Sequence, residues 1–346
     1  MKKKISFQWI IKQLKADLIG KDSHRGITLT YAWLANQFGH ISLGFIPSIL
    51  LFAFLKDSEK FSNPLFSSLF VSGFWLLFEA YNFLGPLLTK KKSSSKLMYV
   101  SQKKSYVFNP KWKNVAFDTF TDVCFFALGA FLFSLFTVYN RTTIIIIIAL
   151  ALYLAFATSY WFITKMFQMN AFYPFQFRLS QWSFSMDEEN KKTILSYLET
   201  ENIGNHLLIF GAQNKGKTSL AVGLANELSI KHKACLYKNA IKLYGCFYED
   251  KATSNTDKIW DWKSTDTLVI DDINAGQPIV DELVNANLFL SFIDANKNNR
   301  ALLTKKNIIW VLGSYNEKAP ISENSWYKML LEIGVSSQKI TTVNLQ

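Results

Sequence analysis

One long apolar stretch without a charged residue does most to limit how this chain can fold. No Lys, Arg, Asp or Glu stands between Arg141 and Lys165, and residues 144–157 are all apolar or aromatic. A helix of about 20 such residues crosses the hydrocarbon core of a membrane, with every backbone polar group bonded inside the helix. The stretch therefore predicts a membrane-spanning helix over residues 143–167.

Three more segments are apolar enough to span a membrane, at residues 32–55, 65–88 and 116–138. The first of them is the weakest, because polar residues that include His40 interrupt its beginning. Together with the fourth segment they predict a four-pass helical domain over residues 31–168. The alternative is a three-pass domain in which the first segment is re-entrant or interfacial.

The placement of charge predicts an orientation for these helices. Residues 1–170 contain 19 Lys and Arg against 7 Asp and Glu, whereas residues 171–346 contain 19 of each kind. The 89–115 loop alone has eight Lys and no acidic residue. Because cytoplasmic loops hold the Lys and Arg excess, we expect a multi-pass protein of the cell membrane. Its N-terminus, its 89–115 loop and its C-terminal half would be cytoplasmic, and the neutral second half does not support nucleic-acid binding.

Residues 1–30 predict an amphipathic helix ahead of the first span. Apolar residues from Ile5 to Leu18 recur at helical spacing, with Lys12 and Lys15 on the other side. Such a helix suits an anionic membrane surface, which would make lipid a partner. The alternative is a surface helix packed on the soluble domain.

Four ionisable residues lie in or at the edges of the predicted spans: His40, Glu79, Asp118 and Asp122. Charged groups are expensive to bury in a membrane, so they are candidates for a functional role such as an ion or proton path. The alternative places the two Asp near the cytoplasmic end of their helix and pairs Glu79 inside the bundle.

Residues 169–202 predict a juxtamembrane linker followed by a helix. Trp182 and Phe184 are expected either at the membrane interface or packed beneath the following domain. Ser185 has a Glu three residues on, the spacing of a capping box, which predicts a helix over residues 186–199.

A phosphate-binding motif follows this helix. Residues 206–210 (HLLIF) are typical of a buried parallel strand, and residues 211–218 (GAQNKGKT) match GxxxxGK[ST] at every fixed position. The residues after the motif have helical periodicity. Strand, glycine loop and helix in this order predict a nucleotide site rather than a chance match.

Each residue type in the loop has a chemical reason. Backbone N–H groups around Gly211 and Gly216 can surround phosphate oxygens at a helix start. Lys217 would reach the β- and γ-phosphates, and the Thr218 hydroxyl would coordinate Mg²⁺. Lys215 is not a fixed position of the motif and is interpreted as a solvated loop residue. The predicted cofactor-binding set is Gly211, Ala212, Gln213, Asn214, Lys215, Gly216, Lys217, Thr218 and Ser219.

The second part of the site is predicted at a strand that ends in two acids. Residues 267–270 (TLVI) precede Asp271 and Asp272. Asp271 would hold Mg²⁺ with Thr218, and Asp272 would orient the attacking water. The rest of the 203–346 domain predicts further strands and helices, which imply an α/β fold with a parallel, doubly wound sheet. The strands are 234–239, 307–314 and 339–345, and the helices are 279–297 and 322–333.

The 203–346 region resembles AAA-plus and related ASCE-type P-loop ATPases, in particular the helicase-loader and transposition-helper branch. The resemblance lies in LLIFGxxxxGKTSLA and in VIDDI. It implies ATP and Mg²⁺ as ligands, and a sensor-one polar residue at Ser314 or Asn316, with Asn316 preferred. It also implies that Arg300 could act as an arginine finger on a neighbouring subunit, although a solvated helix end explains this residue equally well.

The sequence departs from this family in two ways. No helical lid with a second sensor arginine follows residues 339–345, and the acidic pair is Asp-Asp rather than Asp-Glu, which would slow hydrolysis. An LSGGQ signature, expected of an ABC transporter, does not occur. The guanine-reading NKxD motif does not occur either, although Asn274 stands near the acids.

Three functions follow from these features. The first is a membrane-anchored ATPase that oligomerises and drives or remodels an unknown protein partner or membrane complex. The second is a nucleotide-switched membrane effector with little turnover, for example in phage defence. The third, an ATP-gated ion-translocating protein, depends on the ionisable residues of the spans.

The predicted orientation can be tested by labelling. A cysteine at Ser94 should resist an impermeant maleimide in intact cells, because the 89–115 loop is expected inside, whereas a cysteine at Ser62 should react. Both should react in permeabilised cells, which controls for burial. Labelling at Ser94 and protection at Ser62 in intact cells would reverse the orientation.

Overall fold

The computed structural model describes residues 4–18, 28–58, 62–88, 107–248, 259–273, 285–313 and 320–345. Two compact units divide the chain. Described residues of Ser6–Ser105 and Pro110–Ile163 form a helical unit. Those of Thr164–Gln346, together with short segments at residues 4–5 and 107–109, form an α/β unit.

The described residues of the first half of the chain contain five helices, and four of them are long and apolar enough to cross a membrane. They are α1 (Phe7–Leu18), α2 (Leu29–Leu55), α3 (Pro64–Leu88), α4 (Trp112–Thr137) and α5 (Arg141–Met169). The four candidate spans α2–α5 agree with the four segments expected from the sequence. Helix α2, the first of these candidates, is one continuous helix of 27 residues.

Helices α2 and α4 approach closely where each has a glycine. A Cβ atom built on Gly44 would overlap the carbonyl oxygen of Phe126, and one built on Gly129 would overlap that of Ile41. On α3, the Trp75 ring stacks on the Phe126 ring with centroids 4.3 Å apart. Small residues that let backbones approach are typical of helix packing in membranes.

Two of the four ionisable residues predicted in the spans meet in this unit. His40 Nδ1 on α2 lies 3.2 Å from Asp122 Oδ1 on α4. Glu79 hydrogen-bonds Asn82 on its own helix. The helical unit therefore contains a His–Asp pair between two candidate spans.

Helix α1 has an apolar stripe of exposed side chains. Phe7, Ile11 and Leu18 are 73%, 46% and 48% exposed. On its other side, Asp17 is buried and accepts a hydrogen bond from the Thr30 hydroxyl of α2 at 2.6 Å. Helix α1 is therefore held to the start of α2 through Asp17.

A sheet of five parallel strands is the centre of the α/β unit. Its order is β2-β3-β4-β1-β5. The strands are β1 (His206–Gly211), β2 (Cys235–Asn239), β3 (Thr267–Asp271), β4 (Asn307–Val311) and β5 (Ile340–Leu345). The helices of the unit are α6 (Glu188–Glu199), α7 (Lys217–Ile230), α8 (Ala240–Phe247), α9 (Ala286–Ile293), α10 (Asn299–Thr304) and α11 (Ser325–Glu332). All five strands expected from the sequence are present, and β1 and β3 are buried along their whole length, as a parallel sheet covered on both faces requires.

The helix expected over 279–297 is shorter in the structure. Its described part is α9, which ends at Ile293, and residues 279–284 lie outside the described residues. Asn285 caps α9 by accepting a hydrogen bond from the Leu288 N–H. A turn then separates α9 from the short helix α10. The helical pattern in the sequence therefore extends beyond the residue at which α9 ends.

The capping box expected at Ser185 is wrong. Helix α6 begins at Glu188, and Asp187 caps it by accepting a hydrogen bond from the Asn190 N–H at 2.6 Å. Asp and Ser are about equally favourable at the N-cap position. Asp187 directly precedes Glu188 and is therefore the N-cap, rather than Ser185. In the same way Asn324 caps α11, which begins later than the expected residue 322.

A buried histidine begins β1. His206 is fully buried, and its Nδ1 accepts a hydrogen bond from Trp310 Nε1 of β4 at 3.1 Å. Burial lowers the pKa of His206 to about 3, which is far below the ordinary value of 6.5. The imidazole must therefore be neutral in the folded protein.

This histidine predicts a loss of stability in acid. The pKa of His206 is lower in the folded than in the unfolded protein. Its contribution to the free energy of unfolding is therefore complete above about pH 6.5 and is lost as the pH falls towards 3. Between pH 7 and pH 4.5 the loss should be roughly 2–3 kcal/mol. His206→Asn keeps an acceptor for Trp310 and should weaken the acid dependence of thermal unfolding, measured by tryptophan fluorescence in detergent. The half-buried His232→Asn serves as the control; equal acid dependence in both variants would contradict the assignment.

Candidate functional site

The loop between β1 and α7 has the backbone of a phosphate-binding turn. Gly216 caps α7 in the left-handed region at φ +80°, where glycine is unstrained. Asn214 is also left-handed, at φ +64°, a conformation that Asn tolerates better than most residues. Successive N–H groups in such a turn, ahead of a helix start, form a concavity suited to an anion.

Both glycines of the motif are also required by close packing. A Cβ atom on Gly211 would lie 2.7 Å from the carbonyl oxygen of Leu345 on β5. One on Gly216 would lie 2.8 Å from the Phe184 ring and 3.0 Å from the Trp182 ring. Trp182 is buried in the α/β unit, so of the two expected places for this residue, packing within the domain is right.

The motif lysine lies over its own loop. Lys217 Nζ donates hydrogen bonds to the carbonyl oxygens of Gly211 and Ala212, each at 2.8 Å. Burial lowers the pKa of Lys217, and the nearby charge of Asp271 opposes that shift. The ammonium therefore stands where a bound phosphate would find a cation.

Asp271 is buried at the end of β3 and is held by several donors. Its Oδ2 accepts from the Tyr237 hydroxyl at 2.8 Å, and its Oδ1 accepts from the Asp272 N–H at 2.7 Å. Burial raises the pKa of Asp271, and hydrogen bonds from Asp272, Tyr237 and Thr218 oppose the rise. The structure thus brings Thr218 and Asp271, the two predicted metal ligands, into contact.

Asp272 is exposed beside the buried acid. Its backbone is left-handed at φ +53°, and its Oδ2 accepts a hydrogen bond from Asn239 Nδ2 at 2.7 Å. Asn239 ends β2 and is in register with Asp271. The second acid therefore has a fixed partner on the neighbouring strand.

Sequence reasoning missed Tyr237 and Asn239. Both lie near the carboxyl end of β2, which pairs with β3. The carboxyl ends of parallel strands share one edge of the sheet. Polar side chains at the end of the predicted strand 234–239 therefore indicate further residues of the site. Which strand lies beside β3 was not readable from the sequence.

The other predicted loop residues differ in exposure. Gln213, Asn214 and Lys215 are exposed, as expected for Lys215 in particular. Ala212 and Ser219 are half-buried at the beginning of the loop and in the first turn of α7.

Arg300 is engaged elsewhere in the α/β unit. Its guanidinium donates to both carboxylate oxygens of Asp294, at 2.6 and 2.7 Å, and to the carbonyl oxygen of Glu332 at 3.2 Å. Helix α10 leads into the start of β4, whereas the phosphate loop follows the end of β1. The structure does not bring Arg300 to the phosphate loop of its own chain. Ser314 and Asn316 lie outside the described residues.

Together these groups have the chemistry that a polyanion with a metal ion requires. A lysine, a helix start and a loop rich in N–H groups stand beside a hydroxyl and a carboxylate. The five-stranded parallel sheet, with this loop after β1 and the two acids at the end of β3, fits an α/β P-loop fold.

Comparison with known proteins adds two distant structural similarities. No protein-family model matches the sequence, and no curated protein matches it. A crystal structure of DnaI matches with 14% identity and a TM-score of 0.31, covering 49% of this chain and 88% of that one. A crystal structure of the DnaC helicase loader matches with 14% identity and a TM-score of 0.33, covering 47% of this chain and 94% of that one. Both similarities are too low to carry any conclusion about the site, which therefore depends on its own geometry.

Proposed function

We propose that the α/β unit binds ATP with Mg²⁺ and hydrolyses it, and that the helical unit anchors this ATPase in the cell membrane. The observation that carries the proposal is the contact of Thr218 with the buried Asp271, directly beside Lys217 and its glycine loop. A buried carboxylate is costly unless it is paired, and a phosphate-bound metal ion is a fitting partner for this one.

The donor set fits magnesium and phosphate. Mg²⁺ prefers oxygen ligands and is held in proteins by one or two carboxylates together with substrate phosphates. Thr218 and Asp271 supply a hydroxyl and a carboxylate, and Lys217 would turn from its loop carbonyls to the β- and γ-phosphates. The bound metal would neutralise charge on the phosphates.

Asp272 is the proposed residue for orienting the attacking water. Its carboxylate is exposed next to Asp271, and Asn239 holds one of its oxygens. An oriented carboxylate can accept a proton from water as the new bond forms. Asn239 is then a positioning residue for Asp272.

Membrane anchoring is supported by the four candidate spans and by the exposed apolar stripe of α1. A helix with such a stripe and with Lys12 and Lys15 suits the surface of an anionic membrane. With the charge distribution of the sequence, the proposed location is the cell membrane, with the ATPase on the cytoplasmic side.

The proposed work of the ATPase is on a protein partner, in a homo-oligomer or a larger membrane complex. Arg300 would act on a neighbouring subunit, for which its guanidinium must exchange Asp294 for a phosphate oxygen. The nucleotide-switch alternative predicts binding with little turnover. The His40–Asp122 pair is the observation that favours the ion-translocating alternative.

Nucleotide binding should depend on Lys217. Mg·ATP should raise the unfolding temperature of the full chain in detergent, because a ligand at 100 times its dissociation constant stabilises by about 2.7 kcal/mol. Lys217→Ala should lose this shift, whereas Lys215→Ala, which removes an exposed lysine from the same loop, should keep it. A wild-type shift in Lys217→Ala would place the nucleotide elsewhere.

Hydrolysis should separate from binding at Asp272. Asp272→Asn keeps the shape but removes the charge, so turnover should fall roughly 10²–10⁴-fold while the Mg·ATP thermal shift remains. Asn239→Ala should cause a smaller loss, because the carboxylate is still present but less fixed. Unchanged turnover in Asp272→Asn would show that another residue orients the water. A wild-type protein that binds ATP and does not turn it over would support the switch.

A further inference from the structure

One tyrosine contacts the predicted metal-binding acid with its side chain and the membrane-proximal segment with its backbone. Tyr237 is on β2, and its hydroxyl donates to Asp271 Oδ2 at 2.8 Å. Its backbone N–H donates to the carbonyl oxygen of Ala171 at 2.8 Å. All three residues belong to the α/β unit.

The backbone contact follows from the sheet order. Strand β2 is at the edge of the sheet formed by the described strands, so none of these strands pairs with the N–H groups on its outer side. Residues just after α5, the last candidate span, supply the partner for Tyr237. The edge strand is therefore covered by the segment that connects the P-loop domain to this span.

Buried polar contacts hold that segment on the helix that follows the phosphate loop. Gln168 Nε2 donates to Asn226 Oδ1 on α7 at 2.6 Å, and both side chains are buried. The Tyr173 hydroxyl and Ser229 Oγ are 2.8 Å apart. Residues 164–173 are thus bound both to α7, which carries Thr218, and to β2.

The hydrogen bond from the Tyr237 hydroxyl orients the carboxylate of Asp271. Asp271 has two oxygens, of which one is held by the Asp272 N–H and the other by Tyr237. A phenylalanine at position 237 would fill the same space, so the hydroxyl is required by its hydrogen bond and not by packing. Hydrogen-bond partners of a metal-binding carboxylate orient it and tune its affinity for the metal.

We propose that Tyr237 positions Asp271 for metal binding and makes this position depend on the 164–173 segment. The proposal rests on the proposed function, in which Asp271 holds the Mg²⁺ of a bound nucleotide. It assigns Tyr237 as a positioning residue and as the link between the membrane-proximal segment and the metal.

Tyr237→Phe removes only the hydroxyl and tests the first part. The full chain in detergent is titrated with Mg²⁺ at constant ATP, and the thermal shift is followed. The Mg²⁺ concentration at half of the metal-dependent shift should rise roughly tenfold, whereas the shift with ATP in EDTA should equal that of the wild type.

Tyr244→Phe is the matched control for this titration. It removes another buried hydroxyl, which has no hydrogen-bond partner among the described residues and lies on α8, and it should keep the wild-type midpoint. A wild-type midpoint in Tyr237→Phe, with a normal metal response in the parent, would overturn the inference and leave the proposed function intact. No metal-dependent shift in the wild type would instead overturn the proposed function.

A double-mutant cycle tests the link to the segment. Gln168→Ala loosens the segment and should raise the Mg²⁺ midpoint several-fold in the wild type, but not further in Tyr237→Phe. Equal rises in both backgrounds, or no rise in either, would overturn the link. Tyr173→Phe loosens the same segment more gently, and it provides the same comparison if Gln168→Ala does not fold.

Discussion

The pairing of β1 with a parallel strand on each side is the constraint on which the α/β unit depends. Strand β1 pairs with β4 and β5, and all of its residues are buried. A strand with both edges paired and both faces covered has no freedom of register, because a slip by one residue would reverse its buried faces. The loop that follows it is therefore placed firmly at the carboxyl edge, and Gly211 fits there against β5 because it has no side chain.

Charge balance is the second constraint at this edge. Lys217 is half-buried and Asp271 is buried, and each has at least two hydrogen-bond partners within the domain. Buried charges persist only where such partners are present. In the proposed complex, phosphate oxygens would replace the loop carbonyls as partners of Lys217, and a metal ion would join the hydrogen-bond donors around Asp271. The present hydrogen bonds therefore stabilise both charges without a ligand and still allow a ligand to bind.

The segment between the last candidate span and α6 is part of the P-loop domain. Its Trp182 packs against Gly216 beside Phe184, and its Tyr173 hydroxyl contacts Ser229 Oγ of α7. The segment is therefore packed on the domain and is not a flexible linker. These contacts are the physical basis of the proposed link between the segment and the metal-binding acid.

The sequence by itself determined the four apolar helices, the strand–loop–helix at residues 206–230 and the acids after β3, because each depends on a local pattern with a single physical interpretation. It did not determine the true starts of α6 and α9, where several side chains compete to cap a helix and only the geometry selects one. Only the tertiary structure decided that β2 lies next to β3, and with it that Tyr237 and Asn239 reach the two acids. Strand order arises from the packing of helices on both faces of the sheet, and residues far apart in the chain supply that packing.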